Sequence, residues 1–238
     1  MNETLAIIMP VYNEEIIVAS VLERWIAALD ALRIDYHIHA YNDGSKDRSL
    51  EILTAFAQRH PRVKVHDKRN GGHGITILQG YRENVGQYTW LFQMDSDNEM
   101  GPENFSVFWE NRGQYDFLLG FRHGRPQPLS RKIVSLVSRL CVHIFYGKCV
   151  WDVNSPYRLM RSERFAKLFQ STPADTRSPN LIISGMAARL KLRVFEHPVP
   201  CAGRKTGIVS IQKWKLLNVA ARSLMQTILF SFTRESRA

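Results

Sequence analysis

Between residues 5 and 95 of this 238-residue chain, short apolar runs alternate with segments of helical periodicity. The apolar runs have the length of strands that are buried on both faces of a sheet. The segments between them repeat apolar side chains every three or four residues, which is the period of an α-helix. This alternation predicts an α/β fold with a mostly parallel, doubly wound sheet, right-handed crossovers and helices on both faces.

The predicted elements follow one another in a regular order. Four strands are predicted in the runs LAIIMPV, YHIHAY, VKVHD and YTWLFQM. Three helices are predicted between them, in NEEIIVASVLERWIAALDALR, RSLEILTAFAQRH and GITILQGYRENV. We expect Asn13 to cap the first helix, with two glutamates in its first turn, because Asn is a favoured N-cap residue. Pro61 should end the second helix, since proline cannot continue one.

The pattern changes after about residue 120, where the basic, loop-like stretch RHGRPQPLSR precedes a helix in RKIVSLVSRLCVHIFYG. The apolar face of this helix consists of Leu129, Ile133, Leu136, Val137, Leu140 and Ile144. Such a face normally packs into a core, but its basic neighbours, Arg131, Lys132 and Arg139, are typical of helices on a membrane surface. Further predicted elements are a strand and helix in NSPYRLMRSERFAKLF, a helix in NLIISGMAARLKL, a strand in RVFEHPV and an amphipathic C-terminal helix from Ile211 to Phe232.

Composition narrows the classes of partner. The net charge of +10 attracts nucleic acid, anionic lipid or phosphorylated small molecules. Because no aromatic–basic ladder and no zinc-finger spacing is present, we expect no nucleic-acid binding and favour phosphate-bearing ligands and a membrane surface. The three cysteines are odd in number and share no C-x-x-C spacing, which favours a reducing cytosol over a disulfide framework or a zinc site. We also expect no secretory signal and no membrane-spanning helix.

Polar residues follow three of the predicted strands, in PVYNEE, YNDGSKD and MDSDNE. Each has an alternative explanation, since Asn-Asp-Gly is common in turns and Asp47 suits a helix N-cap. Ligands of open α/β sheets bind at the carboxyl ends of strands, so the three together place Asp43, Asp95, Asp97 and Glu99 on one rim. Like charges held close repel, and a divalent cation compensates them. Oxygen ligands select Mg²⁺ or Mn²⁺.

In order along the chain, these motifs resemble those of the inverting nucleotide-sugar glycosyltransferases of family 2, which have a GT-A fold. The nearest resemblance is to the polyprenol-phosphate group, which includes dolichol-phosphate mannose synthase. The matching stretches cover roughly residues 5 to 215 and are PVYNEE, NDGSKDRS, RNGGHG, MDSDNE, GFRHG, SRKIVSLVSRL, VWDVNSPYRLMR and HPVPCAGRKTGIVS.

The resemblance implies roles for individual residues. The nucleotide-binding positions are Pro10, Tyr12, Glu14, Asp43, Asn70, Asp95 and Ser96. Asp97, with Glu99, is implied to hold Mg²⁺ or Mn²⁺. Asp95, Asp97 and Arg204 match catalytic positions, with Arg204 reaching the diphosphate or acceptor beside Ser210. The positions that receive the acceptor phosphate are Arg122, Arg131 and Ser135.

The resemblance also implies an organisation and a reaction. Residues 1–121 would bind the nucleotide-sugar, residues 122–209 the acceptor, and residues 210–238 would form the C-terminal amphipathic helix or tail. The reaction would move a sugar from a UDP- or GDP-sugar to a polyprenyl phosphate of the undecaprenyl or dolichyl type, with inversion. We expect a peripheral protein on the cytoplasmic face of the membrane, with the tail helix on the bilayer, on a second protomer in a homodimer or on a separate membrane subunit.

Several departures from the family pattern leave alternatives open. Pro156 replaces the usual Gly, and Asn180 stands near the position where relatives tend to have a Glu. A phosphate acceptor is mostly dianionic at neutral pH and needs no general base. The alternative is a same-fold enzyme acting on a sugar hydroxyl in cell-surface polysaccharide synthesis, with Asp175 as base. Two further hypotheses for the function are a binding protein without catalysis and a nucleotidyltransferase. Two interpretations of His73 stay open, a catalytic role and an exposure that the Gly-rich turn around it explains equally well.

Overall fold

A computed structural model describes residues 3–124, 129–148, 150–203 and 213–233, with side chains described for all of these except residues 129–131 and 213–218. Arg204 and Ser210 therefore lie outside the described residues, as does the side chain of Arg131.

The described residues form seven strands and eight α-helices, with one short 3₁₀ helix at Pro102–Asn104. The strands are β1 (Thr4–Val11), β2 (Asp35–Asp43), β3 (Val63–Lys68), β4 (Trp90–Gln93), β5 (Phe117–His123), β6 (Arg158–Arg161) and β7 (Val194–Pro200). The helices are α1 (Val18–Ala31), α2 (Ser49–Arg59), α3 (His73–Asn84), α4 (Phe105–Asn111), α5 (Leu129–Tyr146), α6 (Ser162–Ser171), α7 (Pro179–Arg189) and α8 (Lys213–Ser231).

All seven strands form one sheet in the order β3-β2-β1-β4-β6-β5-β7. Strand β6 is antiparallel to both of its neighbours, and every other pairing is parallel. The predicted α/β fold with a mostly parallel sheet is confirmed. Strand β5 crosses residue 121, so the boundary predicted there falls within a strand; the three-part division stays a prediction.

The sheet separates two hydrophobic cores, which explains why the strands are continuously apolar. Along β1, Leu5, Ile7 and Met9 face the core under α1, α2 and α4. Ala6 and Ile8 face the opposite core, under α3, α5, α6, α7 and α8. Because alternate side chains of a strand point to opposite faces, a strand covered on both sides needs apolar residues at every position.

The start of α1 differs from the prediction. The helix begins at Val18, and Asn13 has a φ of 55° instead of capping it. The Asn13 side-chain oxygen accepts the backbone N–H of Lys46 at 2.8 Å, and the Glu14 N–H donates to the Ser49 hydroxyl at 2.8 Å. The predicted cap is wrong, as is the prediction of two glutamates in the first turn, because the polar groups of this segment bind the loop after β2 and the start of α2 instead of capping α1.

The apolar face predicted for α5 lies on the surface. Its described members are between 43% and 64% exposed, namely Ile133, Leu136, Val137, Leu140 and Ile144. The opposite face of α5 is buried through Val142 and Tyr146 and packs against α7 and α8. Of the two alternatives for this face, packing into the core is therefore wrong. No helix in the described parts of the chain has the length and apolar content needed to cross a bilayer.

Candidate active site

A pocket of about 350 Å³ lies at the carboxyl edge of β1, β2 and β4. We call it the first pocket. Its lining includes all seven residues predicted to bind the nucleotide, which are Pro10, Tyr12, Glu14, Asp43, Asn70, Asp95 and Ser96. His73 and Asp97 complete the polar lining. Parallel strands end at one edge of a sheet, and this is why residues more than 80 positions apart in the sequence, such as Tyr12 and Asp95, meet here.

A second space of about 540 Å³, which we call the chamber, adjoins the first pocket. The two share Gly72, His73 and Asp95. The chamber is otherwise lined largely by residues from the second half of the chain, among them Arg122 and Asn180. Beyond it, a groove of about 440 Å³ runs between α5 and residues 151–154. Of the predicted acceptor residues, Arg122 lines both the chamber and the groove, and Ser135 lines the groove.

Asp43 is fixed at the end of β2. Its side chain is almost fully buried, and its carboxylate accepts the backbone N–H groups of Gly71 at 2.8 Å and Gly72 at 2.9 Å and pairs with Lys68. Asn70 donates to the Asp43 carbonyl at 2.8 Å. Gly72 has a φ of 94°, a backbone conformation that would be strained in a residue with a side chain. These contacts hold the glycine-rich turn against the sheet, and the predicted contact of Asp43 with the nucleobase stays a prediction.

Asp95 is paired with His73. The His73 Nε2 lies 2.9 Å from the Asp95 Oδ1, at the boundary between the first pocket and the chamber. Burial alone would raise the pKa of Asp95, but His73, Arg122 and Gln93 outweigh it and hold this pKa below its usual range. Partial desolvation of the imidazole would likewise lower the pKa of His73, and the carboxylates of Asp95, Asp97 and Asp43 outweigh it and raise this pKa. Asp95 is therefore ionised at neutral pH.

The turn after β4 directs its carboxylates to different places. The Asp97 carboxylate lines the first pocket and accepts the Glu99 N–H at 3.1 Å. The Glu99 carboxylate accepts the Cys201 thiol at 3.7 Å, next to the end of β7. Asp95, Asp97 and Glu99 also line one narrow cleft together with Arg122. In this arrangement Asp95 and Asp97 face the first pocket, whereas Glu99 faces Cys201.

The carboxylates at this edge of the sheet fit a divalent cation whose remaining coordination positions are filled by a bound ligand and water. Among the described residues, no three His, Cys, Asp or Glu side chains converge as a ready-made metal cage. Mg²⁺ at phosphate-binding sites characteristically takes only one or two carboxylates, with substrate phosphates and water filling the other positions. Asp95 and Asp97 meet that requirement, and the role predicted for Glu99 stays a prediction.

Arg122 is not a solvated surface residue. Its Nη1 lies 3.3 Å from the Asp152 carboxylate, and its Nη2 donates to the Asn154 carbonyl at 3.1 Å. Both side chains of this ion pair are largely buried. The guanidinium is thereby held between the chamber and the groove, in a position to meet an anion.

Comparison with known proteins places the chain in a family. Residues 6–183 match the family model of glycosyl transferase family 2. The chain belongs to glycosyl transferase family 2. It is 30% identical over 218 residues to undecaprenyl-phosphate 4-deoxy-4-formamido-L-arabinose transferase of Edwardsiella ictaluri, covering 90% of this chain and 65% of that protein. The transferase of the same description from Pectobacterium carotovorum is 28% identical over 221 residues, covering 91% and 65%. The chain thus spans about 65% of the length of these relatives.

Solved structures confirm the GT-A fold expected of this family 2 protein. Glucosyl-3-phosphoglycerate synthase from Mycobacterium tuberculosis, in complex with Mn²⁺, UDP and glucosyl-3-phosphoglycerate, superposes with a TM-score of 0.69. Its sequence is 16% identical, and the match covers 96% of this chain and 80% of the synthase. Residues 1–349 of S. aureus TarS, in complex with UDP, match with a TM-score of 0.57 and 18% identity, covering 100% and 68%.

Some residues of this family 2 site could not be singled out from the sequence. Lys68 lies outside every quoted motif. Asp152 and Arg158 lie within VWDVNSPYRLMR but were assigned no role, because their partners lie 25 or more positions away along the chain or are backbone carbonyls. Arg158 is 0% exposed and lies beneath the chamber. His73 stands in a recognisable glycine-rich turn, but only the structure shows that its ring meets Asp95.

Proposed function

We propose that this protein transfers a sugar from a nucleoside diphosphate sugar to a polyprenyl phosphate, with inversion at the anomeric carbon. The observation that carries the proposal is the junction of two spaces, a first pocket edged by Asp95 and Asp97 and a chamber edged by Arg122. The resemblance to undecaprenyl-phosphate transferases supports the choice of acceptor. Because the related solved structures bind UDP, we propose UDP as the nucleotide.

The first pocket suits the nucleotide. Pro10 and Tyr12 offer an apolar wall, while Asn70 and Ser96 offer hydrogen-bonding groups. Asp95 and Asp97 would hold Mg²⁺ or Mn²⁺ together with the diphosphate. When bound, the cation would stabilise the negative charge that develops on the departing UDP.

The acceptor phosphate requires positioning rather than a base, since its second pKa is about 6. The Arg122 guanidinium, fixed by Asp152, presents a planar fork that matches phosphate geometry. The alternative with a sugar-hydroxyl acceptor needs a carboxylate near the reacting oxygen. The described lining of the chamber does not include Asp175, which is exposed and contacts Gln226 at 3.2 Å through its carbonyl. We therefore favour the phosphate acceptor.

The exposed face of α5 extends across neighbouring elements. Trp151, the α8 residues Met225 and Leu229, and Phe232 just after α8 are also exposed. The rings of Phe145 and Phe232 lie 5.9 Å apart beside the place where the two helices meet. Neither helix contains an Asp or Glu. An apolar face among basic residues is typical of a helix that lies on an anionic bilayer. We propose that α5 and α8 dock on the cytoplasmic leaflet and bring the groove to the lipid phosphate.

Nucleotide binding tests the proposal directly. We expect UDP to raise the melting temperature in the presence of Mn²⁺, and the metal-dependent part of this shift to be lost in Asp97→Asn, because the neutral amide is a poor ligand for a hard cation. Thermal denaturation with UDP, GDP or neither, each with and without Mn²⁺, measures it. Asp67→Asn, on the exposed side of β3, serves as the matched control. An equal shift with and without Mn²⁺ would contradict the role of Asp97.

Membrane docking gives a second expected result. The wild type should sediment with vesicles that contain anionic phospholipid, and Leu136→Ser combined with Leu140→Ser should weaken this binding at least tenfold, since each buried Leu contributes about 1.5–3 kcal/mol. The control is Ile16→Ser, which removes an apolar side chain that is 74% exposed at the start of the chain, away from α5. Equal binding of the double variant would exclude this face. A wild type that dimerises through it, seen by light scattering, would also count against docking on lipid.

A further inference from the structure

We infer that His73 is a positioning residue of the proposed transfer, because its imidazole holds the Asp95 carboxylate at the passage between the first pocket and the chamber. The inference rests on the proposed function and assigns His73 a task in it.

The passage is the place where the chemistry must occur. The bond that breaks joins the sugar to the diphosphate in the first pocket, and the bond that forms joins the sugar to the phosphate oxygen in the chamber. Gly72, His73 and Asp95 are the residues common to the linings of both spaces. Gly72 has no side chain, so the pair His73 and Asp95 shapes the passage.

The backbone that carries His73 is fixed on both sides. Before it, the Asp43 carboxylate holds the N–H groups of Gly71 and Gly72. After it, a Cβ placed on Gly74 would lie only 1.9 Å from the Arg177 carbonyl oxygen, so the first turn of α3 packs tightly against the chamber wall. The His73 side chain itself is 56% exposed. A rigid backbone with an open ring is the arrangement expected of a side chain that meets a ligand.

The contact between His73 and Asp95 constrains the carboxylate. A hydrogen bond to an ionised carboxylate is short and directional, and the 2.9 Å between Nε2 and Oδ1 is in the range of a charge-assisted bond. Without it, the Asp95 side chain would rotate more freely in the widened passage. Misplacement of a catalytic group by about 1 Å can cost about 100-fold in rate. Loss of His73 should therefore slow turnover more than it weakens nucleotide binding.

The test compares His73→Ala with His73→Gln, whose amide N–H can still reach Asp95, and with His60→Ala as a control at the end of α2. Turnover of UDP-sugar with undecaprenyl phosphate gives kcat and the KM for donor, and calorimetry gives the Kd for UDP. We expect His73→Ala to lower kcat at least tenfold with KM and Kd changed less than about threefold, and His73→Gln to recover kcat to within about threefold of the wild type.

Two results would overturn the inference alone. The first is a kcat for His73→Ala within twofold of that of an active wild type. The second is a fall in kcat matched by an equal loss of UDP affinity and a lower melting temperature, which would indicate a structural role. A wild type that turns over no donor with any acceptor would overturn the proposed function and the inference together, so the two failures are distinguishable.

Discussion

Arg158→Ala should lower the free energy of unfolding by about 3–5 kcal/mol, as measured by urea denaturation followed through tryptophan fluorescence. The Arg158 guanidinium donates to the Ser155 carbonyl at 2.6 and 2.9 Å, to the Asn180 carbonyl at 3.3 Å and to the Val153 carbonyl at 3.4 Å. Removing the side chain leaves a cavity and three carbonyls without this donor. Burial disfavours the charged form and lowers the pKa of Arg158 to about 10, but the group stays protonated at neutral pH.

Two comparisons make this result specific. Arg158→Lys keeps the charge without the forked donors and should lose an intermediate amount of stability. Arg164→Ala removes a half-exposed arginine of α6 and should change stability by less than about 0.5 kcal/mol. Equal stability of Arg158→Ala and Arg164→Ala would show that the backbone contacts of Arg158 are dispensable.

Acidification below about pH 6.5 should destabilise the protein steeply, because a buried histidine network must take up protons on unfolding. The Nδ1 of His39 lies 3.0 Å from the Nε2 of His66, and the Nε2 of His39 lies 3.1 Å from the Tyr88 hydroxyl. Burial, with His66, Lys64 and His37 nearby, lowers the pKa of His39 to about 3. The pKa values of His37 and His66 are also lowered, mainly by burial, although Asp35 acts against this at His37 and Glu83 at His66.

The sign follows from the lowered pKa. The unfolded chain protonates His39 near pH 6.5 and the folded protein only near pH 3, so the unfolded state binds more protons between these values. The stability contributed by neutral His39 is fully present above about pH 6.5 and falls by up to about 1.4 kcal/mol per pH unit as pH decreases. The raised pKa of His73 acts in the opposite direction, which makes a variant of His39 necessary to separate the two.

Urea denaturation between pH 7.5 and pH 4.5 measures the effect. We expect His39→Gln to have a shallower dependence of unfolding free energy on pH than the wild type, even if its stability at pH 7.5 is lower. His60→Gln, at the end of α2, should keep the wild-type dependence. Parallel curves for the wild type and His39→Gln would contradict the assignment of acid sensitivity to this network.

The sequence was informative where one physical rule determined the structure. Apolar runs alternating with helical periodicity allow few folds other than a parallel sheet, and polar residues at the ends of its strands had to meet at one edge. For this reason Asp43, Asp95, Asp97 and Glu99 were expected on one rim. The first three line one pocket, whereas Glu99 faces Cys201. The existence of the C-terminal helix followed equally from its periodicity.

The sequence was less informative where residues choose between several partners. Asn13 is a good N-cap by type, but it binds Lys46, which lies 33 residues away. The apolar face of α5 has the same period whether it meets a core or a bilayer, and only the packing of the opposite face against α7 and α8 shows that it points outward. The contact of His73 with Asp95 depends on the register of α3 beside β4, which no local pattern specifies.

The reversed strand β6 has a consequence for how such enzymes diversify. Because β6 is antiparallel to β4, its first residue, Arg158, pairs with Gln93 at the last position of β4. The segment just before β6 therefore emerges beside Asp95, and Asn154 and Pro156 form part of the chamber wall. A change of length or composition in this one segment can remodel the chamber while the pocket built by β1 and β2 remains intact. The choice of acceptor proposed for the chamber and the choice of nucleotide can therefore evolve separately.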